Sequence, residues 1–228
     1  KDSGIPREEI FVTTKVWNSD QGFDNTLRAF ETSLEKLGLE YVDLYLTHWP
    51  KPTLAETYKA IERLYEEKLI RVPGVSNHHQ HHLEDIFAVA NVKPMVNQFE
   101  CHPSLSQDSL RAFCAQHNIA VTAWAPLGTG IVFTHPVVKQ LAEKYGKTVA
   151  QIVLRWHLEI GNIAIPKSVT PERIKENLDV FNFSLQTDEV AAITALNTFH
   201  RTASDPDNFD FYNESVELVI YTRKTKLH

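Results

Sequence analysis

Polar side chains that can take part in chemistry stand at or just after the end of several short apolar runs in this sequence. They are Lys15, His48, Ser76 with Asn77, Gln98 and Lys167. A lysine changes the pKa of a neighbouring group through its positive charge, and a histidine exchanges protons near neutral pH. Serine and amide side chains add hydrogen-bond donors and acceptors. Such a set predicts a polar site, provided that the fold brings the ends of the runs together.

The apolar runs alternate with longer segments of helical period, which indicates repeated strand and helix units. The predicted strands cover residues 9–15, 41–48, 69–77, 94–101, 120–125 and 162–167, and the predicted helices lie near 23–37, 54–67, 81–90, 105–117 and 136–159. Alternation of this kind favours a parallel sheet with right-handed crossovers, either open and doubly wound or closed into a barrel. Periodicity alone does not separate these two architectures.

The placement of the polar residues favours the barrel. Polar residues follow five of the predicted strands, and a barrel gathers the carboxyl ends of its strands into one ring. No G-x-G-x-x-G motif follows any predicted strand, and the eight glycines form no glycine-rich phosphate loop. Pro73 lies inside the third predicted strand and removes a backbone donor there, so we expect a local distortion near Ser76.

Length and composition limit the class of protein. The 228 residues, 43% of them hydrophobic, are sufficient for one sizeable core, so we expect a single domain over residues 1–228. The net charge of −6 predicts no general attraction to nucleic acid or to an anionic membrane. Cys101 and Cys114 are not in a CxxC arrangement, and we interpret both as thiols of a cytoplasmic protein without a membrane span.

A dense group of histidines follows Asn77 in the sequence. It consists of His78, His79, His81 and His82, and the first and last are four residues apart, a spacing that places two side chains on one face of a helix. Paired histidines of this kind occur in metal sites. We favour ordinary polar roles at the start of a helix and expect no metal.

Six motifs in order resemble those of the aldo-keto reductase family. They are FVTTKVWN at 11–18, VDLYLTHWP at 42–50, GVSN at 74–77, VNQFECHP at 96–103, WAPLG at 124–128 and IPKSVTPERIKEN at 165–177. The resemblance extends from about residue 4 to about residue 211. It implies an α/β fold of the (β/α)8 TIM-barrel type in a single domain. Residues 205–211 resemble the family's C-terminal loop, and we interpret residues 205–228 as a C-terminal loop followed by a tail without resemblance to the family.

The resemblance also implies NADPH or NADP+ as the cofactor. Where the last predicted strand passes into a helix, Lys167, Ser168 and Arg173 supply positive charge and donors suited to a phosphate. The family similarity assigns cofactor contacts to Ser76, Asn77, Gln98, Trp124, Leu127, Thr129, Lys167, Ser168, Val169, Thr170, Arg173, Glu176 and Asn177. In this assignment, Ser76, Asn77 and Gln98 face the carboxamide, and Trp124 stacks on the nicotinamide. The residues from Lys167 to Asn177 hold the 2′-phosphate and adenine end.

For catalysis, the resemblance assigns Lys15 and His48 to the family's tetrad, and Trp17 and Trp49 to the substrate pocket. In the family, the tyrosine acid and the aspartate that pairs with the lysine lie upstream of the segment that contains Lys15. We therefore expect an N-terminally truncated barrel of about six β/α units, in which those two residues are absent from the sequence. Ala125 departs from the serine that relatives often carry there.

The function that follows is NADP-dependent reduction of an aldehyde or ketone by direct hydride transfer. The alternative is a truncated, non-catalytic NADP(H)-binding fragment or interaction protein, which the missing tyrosine and aspartate favour. The expected partner is a small carbonyl substrate, with no nucleic acid and no membrane. The sequence does not set the oligomeric state, and a monomer is expected for a complete barrel.

Overall fold

The computed structural model describes residues 4–209 and contains six parallel strands in one sheet, with helices between them. The strands are β1 (Thr13–Val16), β2 (Val42–Thr47), β3 (Ile70–Ser76), β4 (Val96–Glu100), β5 (Ala120–Trp124) and β6 (Ile163–Ala164). The helices are α1 (Phe23–Leu37), α2 (Leu54–Glu66), α3 (Gln80–Phe87), α4 (Asp108–Gln116), α5 (Pro136–Tyr145), α6 (Val149–Glu159), α7 (Pro171–Leu178) and α8 (Thr187–Thr194). All six predicted strands are confirmed, although β1 and β6 are shorter than the runs that predicted them.

The strands follow one another across the sheet in chain order, from β1 to β6. This is the neighbour order of a (β/α)8 barrel, whereas a doubly wound sheet reverses its order at a switch point. Every pairing is parallel, so all six carboxyl ends lie at one edge. Within residues 4–209, β1 and β6 each pair with one strand only.

The two faces of the sheet carry separate apolar clusters. Tyr45 of β2 belongs to the larger cluster on the helix-covered face, where its ring packs against Phe30 of α1 at a centroid distance of 4.9 Å. Leu44 and Leu46 point to the opposite face and pack there with Val96. A Cβ at Gly74 would lie 2.6 Å from Leu46 Cδ2 and 2.9 Å from the Val96 carbonyl oxygen, so the inner packing requires glycine at this position.

The predicted helix over 136–159 is wrong in one respect, because the segment forms two helices, α5 and α6. Gly146 ends α5 in the left-handed conformation, with φ of 60°. Thr148 then begins α6 with a capping box: its hydroxyl accepts from the backbone of Gln151, whose side chain accepts from the Thr148 backbone. The apolar periodicity continues through both helices, which is why the pattern alone suggested one.

The distortion expected at Pro73 is also not observed. In β3, Pro73 pairs in register with Tyr45, and the pairing with β2 continues to Val75. Its carbonyl oxygen accepts from the backbone N–H of Met95. The absent proline N–H therefore leaves the strand in register as far as Ser76, where the candidate site begins.

Both cysteines are buried free thiols, as predicted. Burial raises the pKa of Cys101 to about 12 and that of Cys114 to about 11, so both sulfurs stay protonated at neutral pH. Among residues 4–209, the helices are all too short or too polar to cross a bilayer.

Candidate active site

Lys15 and His48 lie at the carboxyl ends of adjacent strands. Lys15 pairs with Leu46, which places its side chain on the inner face of the sheet. The backbone N–H of His48 donates to the carbonyl oxygen of Val16 at 3.2 Å, which continues the β1–β2 ladder past its last paired residue. The Trp17 ring meets the His48 ring edge-on at a centroid distance of 4.7 Å. The structure thus brings together two predicted catalytic residues and one predicted pocket residue.

Burial sets the ionisation of this pair. It lowers the pKa of Lys15 from 10.5 to about 8. The pKa of His48 falls from 6.5 to about 4, mainly because of burial and further because of the positive charge of Lys15. At neutral pH, Lys15 is therefore mostly charged, although easily deprotonated, and His48 is a neutral imidazole with one N–H to donate.

Asn77 joins three strand ends through its side chain. Its Nδ2 donates to the carbonyl oxygen of His48 at 2.9 Å and lies 3.3 Å from Ser76 Oγ, while its Oδ1 accepts from Trp124 Nε1 at 2.7 Å. The backbone of Asn77 has φ of 65°, a conformation that asparagine adopts more readily than most residues. The predicted residues of β2, β3 and β5 are therefore one hydrogen-bonded unit.

Gln98 supplies the fourth strand end. Its carbonyl oxygen accepts from Ser76 Oγ and from the Asn77 backbone N–H, each at 2.8 Å. Its side chain is largely buried and makes no hydrogen bond to any residue that the structure describes. Its amide atoms are not among the buried polar atoms that lack a partner, so they remain accessible to solvent. An accessible primary amide offers donors and an acceptor to a polar ligand group.

The segment after β5 contains a sharp backbone turn. Ala125 has a positive φ of 46°, and the 3-10 segment that follows over Gly128–Thr134 is interrupted at Thr129 and Gly130, whose φ angles are 52° and 93°. Leu127 packs on the helix-side core, whereas the Thr129 side chain is exposed. Leu127 and Thr129 are the two cofactor contacts predicted in this segment, and Thr129 has the more accessible side chain.

The segment after β6 presents the start of α7 to solvent. Thr170 is the residue before the helix and makes no capping hydrogen bond with its side chain, and Pro171 occupies the first turn. Ser168 Oγ accepts from the Thr170 backbone N–H at 3.2 Å. Lys167 and Arg173 are exposed, and Val169 is 80% exposed. An uncapped helix start between two cations is suited to a phosphate group.

Beside this segment lies a cavity of about 470 Å³. Lys167, Ser168 and Asn177 form part of its wall, together with apolar side chains that include Ile174 and Phe181. Glu176, predicted to contact adenine, accepts a hydrogen bond from the hydroxyl of Thr148 instead of facing this cavity. One carboxylate oxygen of Glu176 is thus already engaged in joining α7 to the start of α6.

The predicted pocket aromatics have different surroundings. Trp17 is 37% exposed, while Trp49 is buried and stacks on Phe209 at a centroid distance of 4.5 Å and an interplanar angle of 4°. The predicted C-terminal loop therefore reaches Trp49, a predicted pocket residue, through Phe209. Residues 210–228 of that loop and tail lie outside the described part of the chain.

A buried polar network escaped the sequence analysis. Glu100 Oε1 accepts from His102 Nε2 at 3.1 Å and from the backbone N–H and hydroxyl of Thr202. These bonds hold the pKa of Glu100 below its usual range, although burial acts in the opposite direction and is the larger single effect. The motif at 96–103 contained this signal, since a charged and an imidazole side chain there flank Cys101. The network anchors the C-terminal segment on β4.

Tyr45 does not supply a proton-donating tyrosine for Lys15. Its ring lies on the helix-covered face, and burial raises its pKa. The cavity beside Lys15, about 370 Å³ in volume, is lined by residues of β1, α1 and the loop between them, and no tyrosine is part of its wall.

The chain belongs to the aldo-keto reductase family. The model of the aldo/keto reductase family matches residues 1–198. The chain is 52% identical over 213 residues to a 9,11-endoperoxide prostaglandin H2 reductase of Trypanosoma cruzi, covering 92% of this chain and 75% of that protein. It is 49% identical over 212 residues to a glyoxal reductase of Bacillus subtilis, covering 92% of this chain and 77% of the relative.

Solved structures agree with the fold. The crystal structure of an aldo-keto reductase from a Medee basin deep-sea metagenome library superposes with a TM-score of 0.91 at 46% identity, over 92% of this chain and 80% of that one. An aldo-keto reductase of Bombyx mori in complex with NADP superposes with a TM-score of 0.84 at 38% identity, over 89% and 73% of the two chains. The family places this chain among oxidoreductases with a barrel fold.

Proposed function

We propose that the protein is an NADPH-dependent reductase of small aldehydes and ketones. The observation that carries this proposal is the convergence of Lys15, His48, Asn77, Gln98 and Trp124 at one edge of the sheet. Each comes from the end of a different strand, and Asn77 connects three of those ends by hydrogen bonds. Sites assembled in this way at the carboxyl ends of barrel strands are typically catalytic.

The residues present fit nicotinamide adenine dinucleotide phosphate, the cofactor NADPH. Gln98 offers an accessible side-chain amide that makes no hydrogen bond within the described chain, which suits the carboxamide group. The half-buried ring of Trp124, fixed by its bond to Asn77, would stack on the nicotinamide. At the other end, Lys167 and Arg173 flank the uncapped start of α7 and would hold the 2′-phosphate. This last pair supports NADPH over NADH.

When bound, NADPH supplies the hydride that a carbonyl carbon accepts. His48, neutral at pH 7, donates its single N–H to the carbonyl oxygen and so orients the substrate. Lys15 places a positive charge beside the same position and stabilises negative charge that develops on the oxygen. The oxygen must also gain a proton to give the alcohol, and Lys15, with its pKa lowered to about 8, would release that proton and recover one from water. Because Lys15 is largely removed from water, its charge acts there more strongly than it would in solution.

The substrate class that we propose is small reactive aldehydes, including 2-oxoaldehydes. Trp17 and Trp49 present flat apolar surfaces beside His48, and Phe209 covers the second of them. This arrangement favours compact substrates with a small apolar part. The 49% identity to a glyoxal reductase supports the same class.

A second candidate is a protein that binds NADP(H) without turnover. It is supported by the same cofactor-contact residues, because the bond between Asn77 and Trp124 and the uncapped start of α7 serve binding without a proton donor. The two functions are separated by measuring cofactor binding and turnover on the same sample of the whole protein. Binding detected by NADPH fluorescence, together with aldehyde-dependent oxidation of NADPH, supports the reductase. Binding without oxidation supports the second candidate.

A further inference from the structure

Three histidines at the start of α3 and an aspartate of the C-terminal segment face one another. His79 Nδ1 lies 2.9 Å from Asp207 Oδ2, while His81 Nε2 and His82 Nε2 lie 3.3 and 3.6 Å from Asp207 Oδ1. One potential ligand atom from each of the four residues lies within 4.8 Å of every other. The four side chains therefore surround one point on the surface.

We propose that His79, His81, His82 and Asp207 form a binding site for a divalent transition-metal ion, with zinc as the best match. Imidazole nitrogen and carboxylate oxygen are both zinc ligands, and four of them suit its tetrahedral preference. Ligand atoms about 2.0–2.1 Å from the ion lie roughly 3.3 Å apart in a tetrahedron. The three distances to the Asp207 oxygens bracket this value, whereas the four ligand atoms as a set lie within 4.8 Å of one another, so side-chain rotations must bring the wider-spaced atoms closer to the ion.

The pair that the sequence singled out, His78 and His82, is not the proposed site. His78 is fully buried, and its Nδ1 bonds with the Ser76 carbonyl oxygen at 2.8 Å while its Nε2 lies 3.4 Å from Thr47 Oγ1. Both ring nitrogens are thus occupied by the inner structure. The fourth proposed ligand, Asp207, comes from a distant part of the sequence, and histidine spacing could not indicate it.

Without metal, the four side chains are held together by hydrogen bonds. Arg201 Nη2 donates to His79 Nε2, and the His79 backbone N–H donates to His82 Nδ1, each at 3.1 Å. In a neutral ring only one nitrogen carries a proton. His79 therefore carries it on Nδ1 and His82 on Nε2, and these are the nitrogens that face Asp207. A metal ion at the centre displaces these protons, and each neutral ligating ring then carries its proton on the opposite nitrogen, so both bonds must open. The His79 backbone N–H then leaves His82 Nδ1, and Arg201 withdraws towards Asp205, which it already contacts at 3.2 Å. Arg201 is therefore a competitor of the metal.

The site is open to solvent on one side. A cavity of about 700 Å³ is lined by His81, His82 and Asp207, with Asp85 also in its wall. The side chains of His81 and Asp207 are 57% and 42% exposed, so an ion can reach them without opening the core. Asp85 adds negative charge at the entrance, whereas Lys51 in the same wall donates to the carbonyl oxygen of Asn18. The inference does not depend on the proposed function.

A bound ion would fasten the C-terminal segment to α3. Asp207 is two residues from Phe209, whose ring stacks on Trp49. In the absence of metal, the segment is held near α3 by the bonds of Asp207 to the histidines and of Arg201 to His79. Metal coordination would replace the hydrogen bonds of Asp207 with stronger bonds to the ion. It would therefore stabilise the position of Phe209 over Trp49.

The test is calorimetric titration of the whole protein, without an affinity tag and after treatment with a chelator, using zinc ion alone. We expect one saturable site. Loss of an outer hydrogen-bond partner alone lowers metal affinity roughly 10–100-fold, so H81A and D207N should each lower it at least tenfold. R201A should bind zinc more tightly than the parent protein, because the competing donor is removed. Cobalt ion should give the intense visible absorption of a tetrahedral site in the parent protein.

His200→Ala is the matched control, since His200 is exposed in the same segment and lies outside the cluster. Zinc affinity unchanged in this variant and lowered in D207N supports the site. Absence of saturable binding, or equal loss in the control and in D207N, overturns it. Circular dichroism of each variant verifies that the fold is intact, and D207N keeps the size of the side chain so that the result does not depend on the histidine variants alone.

Discussion

Asn77 Oδ1 accepts a hydrogen bond from Trp124 Nε1 at 2.7 Å, and this bond fixes the ring that closes one side of the candidate cofactor site. The same side chain donates through Nδ2 to the carbonyl oxygen of His48. One amide thus sets the position of both the aromatic ring that we propose to stack on the nicotinamide and the strand end that carries the proposed catalytic histidine. The left-handed backbone of Asn77 adds a second reason for asparagine at this position.

The first prediction concerns this amide. N77D keeps the acceptor for Trp124 but replaces the donor to His48 with an oxygen, which would face a carbonyl oxygen. Loss of such a buried bond costs about 1–3 kcal/mol, so kcat/KM should fall roughly 10–100-fold. Steady-state kinetics with a small aldehyde measure it. Asn118 has a similar φ of 57° but is exposed, so N118D should leave kcat/KM unchanged; an equal fall in both variants would contradict the assigned role.

A second prediction links stability and function at Lys15. Its pKa is depressed to about 8 in the fold, so the unfolded chain binds more protons than the folded one between pH 8 and 10.5. The cost of burying the charge is therefore complete below pH 8 and disappears as the pH approaches 10.5. We expect K15M to raise the free energy of unfolding at pH 7 by roughly 1–3 kcal/mol, and to lose turnover.

Urea unfolding of the parent protein and of K15M at pH 7 and pH 10 measures this difference. The gain in the variant should be smaller at pH 10. In the parent protein, kcat/KM should decline as the pH rises through about 8, because Lys15 loses its charge. If K15M were no more stable than the parent protein at pH 7, burial of the Lys15 charge would not destabilise the fold.

A third prediction tests the phosphate assignment. The double variant K167E/R173E places two carboxylates beside the uncapped start of α7. A hydrogen bond to a charged group contributes about 1.5–3 kcal/mol, so NADPH affinity should fall at least tenfold while NADH affinity changes little. Fluorescence titration with both cofactors measures the preference. Lys175 is exposed on the same helix, and K175E is the matched control. An unchanged preference in the double variant would refute the assignment.

A fourth prediction concerns the cover over Trp49. F209A removes a stacked ring whose contact contributes about 0.5–1.5 kcal/mol beyond its buried area. We expect KM for the aldehyde to rise roughly 2–10-fold and NADPH affinity to stay constant, because Phe209 lies on the substrate side. F199A is the control, since Phe199 is 81% exposed. Equal changes in aldehyde KM and NADPH affinity would argue against a pocket role.

Local patterns predicted the six strands and most helices because each is a continuous run of one period. They missed the division between α5 and α6, since the backbone conformation of Gly146 leaves no trace in apolar spacing. The clustering of Ser76, Asn77, Gln98 and Trp124 followed from the parallel sheet, although their roles remain predictions. The sequence could not indicate the Glu100 and Thr202 contact or the approach of Asp207 to α3, because both depend on where a distant segment returns.

The measurement that tests the central proposal most directly compares NADPH binding and aldehyde-dependent NADPH oxidation in the parent protein and in H48A. The Asn77 amide holds the main-chain oxygen of His48, so removing the imidazole should leave the cofactor site intact. We predict equal NADPH affinity in the two proteins, turnover in the parent, and turnover lower by about a hundredfold or more in H48A. A parent protein that binds NADPH but does not oxidise it in the presence of aldehyde, or an H48A variant with full turnover, would contradict the proposed function.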